Sequence, residues 1–333
     1  MEWPKRPRAG RVEPSPKPRP AVGRSRSAIS RRKLLGIGLG AAAVGLFGRG
    51  VAETAIDVKE SVGKSVRAFK SLGRFFHQEP GAVTTEEISE VSSTTRKPQT
   101  EFSLVFHDLP ERESQQAVTI VRRMHGVIST NSEYQNGNLY KVTKKREALI
   151  RQEAERLRVN PNLAIGIVFV ENGGGEKIIN QNSGAAGIAQ LMEVTAARYG
   201  LKVDETIDER LDPKKAIPAM CSYLADLHLE FLDPGLAVWA YHAGEGNVYS
   251  ALRAYFKNVD GQDYGDVVTS QDPAIAEKYR RLIAERNLTV HQVLENRQVQ
   301  SEVLSQLGDE TELYVYKVVA ASQLFKINEE AFG

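Results

Sequence analysis

Asn160-Pro161-Asn162-Leu163-Ala164-Ile165-Gly166-Ile167-Val168-Phe169-Val170-Glu171 is the stretch on which the reading of the fold turns. By propensity alone, its Ile, Val and Phe residues suit a buried strand. Its first two residues tilt it to a helix. Asn160 is a favoured N-cap, and Pro161 at the first helical position lacks an N–H that the helix would leave unpaired anyway. The run ends in Glu171, followed by Asn172-Gly173-Gly174-Gly175. A carboxyl group held against apolar side chains is harder to ionise, which is the property a general acid needs near neutral pH. Three glycines supply a turn that leaves room for a ligand at the backbone. On these residues alone, a solvated Glu at a helix end is the plainer explanation.

Helix signals continue on both sides. Upstream, Val142, Leu149, Ile150, Ala154 and Leu157 lie near one face of a helix that ends before Asn160. Downstream, Ile188, Leu191, Met192, Thr195, Ala196 and Tyr199 follow helical spacing, which predicts a helix over Gly187–Tyr199 with Gln190 in its first turn. Asp212-Pro213 repeats the cap-and-proline start, and Ile217, Met220, Leu224, Leu227 and Phe231 mark the core face behind it. Thr289-x-x-Gln292 and Asp309-x-x-Glu312 read as capping boxes or close variants. Alternating strand patterns are nearly lacking, so the fold class is mainly α.

Three more segments bear on chemistry. Ser183-Gly184-Ala185-Ala186-Gly187-Ile188-Ala189-Gln190 combines small residues, against which a polymer can lie, with a side chain that both donates and accepts. Ala240-Tyr241-His242-Ala243-Gly244 sets a Tyr in a tight stretch, and Glu310-Thr311-Glu312-Leu313-Tyr314-Val315 opens the last helix with another. Taken singly, helix packing and core aromatics explain them. In series they resemble the soluble-lytic-transglycosylase-like (SLT) domain, of lysozyme-like helical fold. The resemblance covers roughly residues 141–326 and rests on Glu171, Gly184-Ala185-x-Gly187-x-x-Gln190, Asp212-Pro213 with Tyr223-Leu224, Ala240-Tyr241-x-Ala243-Gly244, and Glu310-Thr311-x-x-Tyr314-Val315. Asn172 departs from the family's usual Ser, Ala189 from Met, and His242 from Asn.

The resemblance implies a peptidoglycan lytic transglycosylase with Glu171 as its single catalytic acid/base. Tyr241 is then placed close to the carboxylate, to orient it or the substrate. Asn172, Ala189, Gln190, His242 and Tyr314 are the implied substrate-binding positions. A packed, hydrogen-bonded role is the plainer one for His242. Glu176 and Glu193 stay open as further carboxylates, Glu193 lying off the apolar face of its helix. Two alternatives remain: a lysozyme- or chitinase-type hydrolase of the same fold, and a peptidoglycan-binding module without turnover, to which the changes at Asn172 and His242 would be a hint. The Gly- and Asp-bearing insertion Lys257–Asp272 has no counterpart in the family pattern.

Composition bounds the partners. The chain carries 44 Lys+Arg and 42 Asp+Glu, but the basic excess sits in residues 1–52, which hold 12 Lys+Arg against two acids, Glu2 and Glu13. The remainder is net acidic, which argues against nucleic acid; the partner that the resemblance implies is the glycan strand of peptidoglycan. Cys221 is the single cysteine, so an intramolecular disulfide is excluded, and apolar neighbours make it an inert buried thiol. The six His residues show no HExxH spacing, so neither a metal nor a cofactor is expected.

Ser30-Arg31-Arg32-Lys33-Leu34-Leu35 precedes a Gly- and Ala-rich apolar run through Gly48 and resembles a twin-arginine export signal. The run is short for a membrane span, which needs about 20 apolar residues. Membrane contact is thus expected only through this segment, if it stays uncleaved, and the periplasm or cell envelope is the expected location. A weak amphipathic helix is expected over Ile56–Phe76, and a Ser/Thr/Glu-rich linker over Val83–Thr100. The expected organisation is a leader (1–52), a helical extension with linker (53–137) and a catalytic domain (138–333), acting as a monomer.

Overall fold

The computed structural model describes residues 100–270, 272–308 and 311–332, with side chains described to Glu329. The leader and its arginine pair, the Ile56–Phe76 helix, the linker up to 99, and Asp309 and Glu310 lie outside the described residues. Among those described, the architecture is helical, with isolated bridges in place of strands. The elements are α1 (Glu101–Val105), α2 (Glu111–Ser129), α3 (Ser132–Gln135), α4 (Asn138–Arg156), α5 (Pro161–Glu171), α6 (Glu193–Arg198) and α7 (Pro213–Phe231). They continue as α8 (Pro234–Ala243), α9 (Glu245–Asp260), α10 (Val267–Ser270), α11 (Pro273–Arg286), α12 (Val290–Leu294), α13 (Arg297–Glu302) and α14 (Tyr314–Phe332). None of the described helices is long and apolar enough to cross a membrane.

The deciding stretch is a helix. Asn160 Oδ1 accepts from the backbone N–H groups of Asn162 and Leu163, and Pro161 occupies the first turn. Every residue from Leu163 to Phe169 is buried. A strand has no place because α5 is central: α4 packs along one side and α14 along another. Gly166 sets how close α14 comes, since a Cβ there would sit 2.5 Å from the Val318 carbonyl oxygen. Burial on all sides removes the polar stripe that would have given α5 an amphipathic signature.

The other expected starts are present. Asp212 caps α7 through Lys214 N, and Ile217, Met220, Leu224, Leu227 and Phe231 are all buried. Thr289 and Gln292 close the capping box of α12 in both directions. Residues 100–137 join the core of the rest: Val105, Ala117, Val121, Met124 and Ile128 are buried in one cluster with α5 and α14, and Phe106 stacks on Tyr316 with centroids 5.1 Å apart. The packing therefore runs through position 138 without a break. His107 Nε2 lies 3.0 Å from Asp233 Oδ2, and Asp233 caps α8 through Leu236 N. This upstream segment thus holds the start of the helix that carries Tyr241.

One expected helix is corrected. Helix forms only over Glu193–Arg198, not from Gly187. Residues 186–191 instead make a closed turn, in which the N–H of Ala186 donates to Leu191 O and the N–H of Leu191 to Ala186 O, both at 3.1 Å. Gly187 and Gln190 take φ of +77° and +45°, incompatible with a right-handed helix. Helical spacing was satisfied by coincidence, since Ile188 and Leu191 are buried by a turn pressed on the core.

Candidate active site

Glu171 is the last residue of α5, partly exposed where the buried helix reaches the surface. The next residue turns the other way. Asn172 is 0% exposed, its Nδ2 donating to Val168 O at 2.9 Å and Thr143 Oγ1 at 3.0 Å, while its Oδ1 accepts from Gly174 N at 2.8 Å. The expected substrate contact at Asn172 is therefore corrected. The side chain closes the end of α5 and pins the glycine turn, leaving no polar atom toward a groove. Its part is to fix the residue beside it.

Tyr314 comes to Glu171 from the start of α14. Its hydroxyl donates to Glu171 Oε1 at 2.6 Å, and the residue is 3% exposed. Burial, then the neighbouring Glu171 charge, pushes the phenol well above the ordinary tyrosine range, so it remains a donor at physiological pH. Trp239 Nε1 donates to Thr311 O at 3.0 Å, tying the approach to α14 onto α8. His242, exposed on α8, lies flat on Tyr314 with centroids 4.2 Å apart and planes 10° from parallel. The contact is a stacked one with this aromatic.

Tyr241 is expected close to the carboxylate, to orient it or the substrate. The Tyr241 hydroxyl donates to Ala189 O at 2.5 Å. Burial and then the Glu171 charge raise its phenol as well, which keeps Tyr241 within electrostatic reach of the acid. The bond fastens α8 to the 186–191 turn. Ala189 itself is buried, offering a carbonyl to Tyr241 and no side-chain surface to a ligand. Gln190 Nε2 donates to Gly187 O at 2.8 Å and Ile178 O at 3.1 Å, bracing the turn. Thus Glu171, Tyr314, His242 and Tyr241 gather at one place, Ala189 and Gln190 build the adjoining wall, and Asn172 lies beneath.

Two groups escaped the sequence reading. Arg210, 6% exposed, donates through Nη1 to Gly184 O at 2.8 Å and Leu191 O at 3.1 Å, while Asp208 holds its other face. It locks the small-residue loop from behind. A lone Arg between two acids reads as surface charge, so no local signal marked it. The second group is Glu245, which pairs with Arg198 at 2.8 Å and accepts from the Tyr223 hydroxyl at 3.1 Å. Tyr223 packs on Tyr241 with centroids 5.4 Å apart, so this carboxylate stands behind the site's aromatic wall.

The other carboxylates considered are engaged or distant from burial. Arg146 holds Glu176 through bonds of 2.6 and 3.1 Å and keeps its carboxyl below the usual range. Glu193 is exposed in the first turn of α6. Cys221 is buried, and burial pushes its thiol up to about 12, so it is no nucleophile.

Residues 148–262 match the family model described as the transglycosylase SLT domain. They form an SLT domain. The match spans Glu171, the 183–191 loop, Tyr241 and His242, and it ends just beyond α9. Tyr314 lies past its end and is brought to Glu171 by the packing of α14 on α5. An SLT domain carries a lytic-transglycosylase type of function directed at peptidoglycan. No curated protein matches the chain.

Proposed function

We propose that this SLT domain cleaves the β-1,4 bond between N-acetylmuramic acid and N-acetylglucosamine in peptidoglycan, with Glu171 as sole acid and base. The observation that carries the reading is the Tyr314–Glu171 hydrogen bond at the open end of a buried apolar helix. Glu171 gives its proton to the glycosidic oxygen as the bond to the muramyl C1 breaks, and the substrate's N-acetyl oxygen steadies the positive carbon. The carboxylate then takes the proton of the muramyl C6 hydroxyl as O6 closes on C1. The proton lost in the first step is regained in the second, no water is consumed, and the product end is a 1,6-anhydro ring.

Two features favour this scheme over hydrolysis. A hydrolase of the two-carboxylate type needs a second group across the cleft, and Glu176 is tied to Arg146 while Glu193 faces solvent. An internal hydroxyl is already tethered, with an effective concentration orders of magnitude above that of a free reactant. Tyr314 favours the first step, since its hydroxyl bonds most strongly to the carboxylate that proton donation leaves behind, and it holds that carboxylate in position for the second. Digestion of purified sacculi followed by mass spectrometry tests the reading. Anhydro-muramyl ends, lighter by one water than hydrolysed ends, are expected; a digest dominated by reducing muramic acid would replace it with a lysozyme-type reaction.

Tyr314→Phe is expected to slow cleavage by about 10- to 100-fold, the loss for one hydrogen bond to a charged group. The proposal extends to location: the Arg31-Arg32 leader supports delivery to the periplasm or cell envelope, where the substrate lies.

A further inference from the structure

His242 is exposed on α8, its imidazole flat on the buried Tyr314 ring with centroids 4.2 Å apart and planes 10° from parallel. Tyr314 in turn donates to Glu171 Oε1 at 2.6 Å. One phenol and one hydrogen bond therefore separate the acid from a solvent-facing ring that can carry a charge. We propose that His242 is a positioning residue whose charge, passed through Tyr314, sets how tightly Glu171 holds its proton and so closes the acid step from the alkaline side. The acid step rests on the reading of Glu171 given above; the coupling of the two residues does not.

Two neutral rings stacked at this spacing attract without changing the acidity of the phenol. A protonated imidazole in the same place is a cation on a π face, a contact that the ring favours. The cation draws electron density from the phenol and makes its hydroxyl a better donor to a carboxylate. It also adds a positive charge near Glu171, and both effects favour the ionised acid. Glu171 then gives its proton more readily but carries it over a narrower pH range. Imidazole is the side chain whose ordinary titration falls between about pH 5 and 8, so this charge comes and goes near neutrality. The Asn that the family pattern carries at this position has no charge to give.

Tyr241, beside His242 on α8, is bonded to Ala189 O, and burial raises its phenol so that it stays neutral. Tyr314 is kept neutral in the same way. Glu245, at the start of α9, is held by Arg198 at 2.8 Å and Tyr223 at 3.1 Å behind the aromatic wall. Glu312 is exposed, and its charge acts on Tyr316 and Glu295. Asp309 and Glu310 lie outside the described residues. These two, Glu312 and Lys317 flank Tyr314 in sequence and stay unchanged in every variant below, so a difference between variants reports His242. Charged His242 lets Glu171 ionise at a lower pH, so the protonated acid is lost earlier as pH rises. Reciprocally, ionised Glu171 keeps the proton on His242 longer, and the two titrate as a pair.

The carboxyl carbon signal of Glu171, followed by NMR in the full chain with labelled Glu, reads the coupling without turnover. Two variants separate charge from packing: His242→Phe keeps a stacked ring, and His242→Gln removes it. In both, the Glu171 titration is expected to move up by about 0.5–1 pH unit, a small effect for a neighbouring charge because His242 is open to solvent. In Glu171→Gln, the His242 ring signals should titrate lower by a similar amount. With Tyr314→Phe as the background, exchanging His242 should move the Glu171 titration markedly less. On glycan strands, the alkaline limb of kcat/KM in His242→Phe should rise together with the carboxyl titration. A carboxyl titration unmoved in both variants, one that rises in His242→Gln alone, a shift undiminished by Tyr314→Phe, or an alkaline limb that stays in place would each overturn the proposal. Expected shifts in a chain whose products end in reducing muramic acid would sustain it and remove the transglycosylase reading.

Discussion

Glu171→Gln is expected to leave the fold intact and to lower glycan cleavage by at least about 10²–10⁴-fold, the span associated with losing one general acid. The lower end applies to a residue that acts once. Here the same carboxyl is proposed to donate a proton and then accept one, so both halves of the reaction fail together. Stability should hold, because the amide is nearly isosteric, Tyr314 can still donate to its oxygen, and the residue is already partly solvated. Thermal melting separates the two effects. Near-normal melting with activity lost supports the assignment, whereas activity within a few-fold of wild type would remove Glu171 from the reaction. Tyr314→Phe supplies the calibration, since it keeps the acid and removes only its anchor.

How far the sequence carried this site differs from residue to residue. The helical reading of 161–171 rested on two residues at its start, and those two act as expected, with Asn160 capping and Pro161 in the first turn. The apolar run itself was ambiguous because a helix buried on all sides has no periodic face. The Gly187–Tyr199 helix failed for the opposite reason: its periodicity was clear but arose from a turn whose apolar residues face the core. Asn172 shows that a position in a motif does not give a direction, because one residue of helix rotation separates a surface carboxyl from a buried amide. The choice between Tyr241 and Tyr314 as the bond to Glu171 was not legible at all. It depends on α14 lying across α5, 143 residues away in sequence, at a spacing set by Gly166.

Gly187→Ala is expected to be the most damaging single-methyl change in the loop that walls the site. Two costs combine. At φ +77° a Cβ strains the backbone by about 1–3 kcal/mol. The added carbon would also sit 1.8 Å from the carbonyl oxygen of Arg210. That is backbone and cannot rotate away, so overpacking adds about 1–3 kcal/mol. Nor can the Arg210 segment retreat cheaply, for its buried guanidinium is bonded to Gly184 O and Leu191 O of the same loop. The sum, about 2–6 kcal/mol, should lower the melting temperature by about 10 °C in a domain of this size. Activity should fall as well, because displacing the turn moves Ala189 O away from the Tyr241 hydroxyl. Gly184→Ala is the matched control. It has nearly the same φ, +78°, yet a Cβ there meets nothing within 4 Å. It should therefore cost only the conformational part, about 1–3 kcal/mol, and melt several degrees above Gly187→Ala. Equal melting temperatures for the two variants would show that the turn is free to shift and that Arg210 does not lock it.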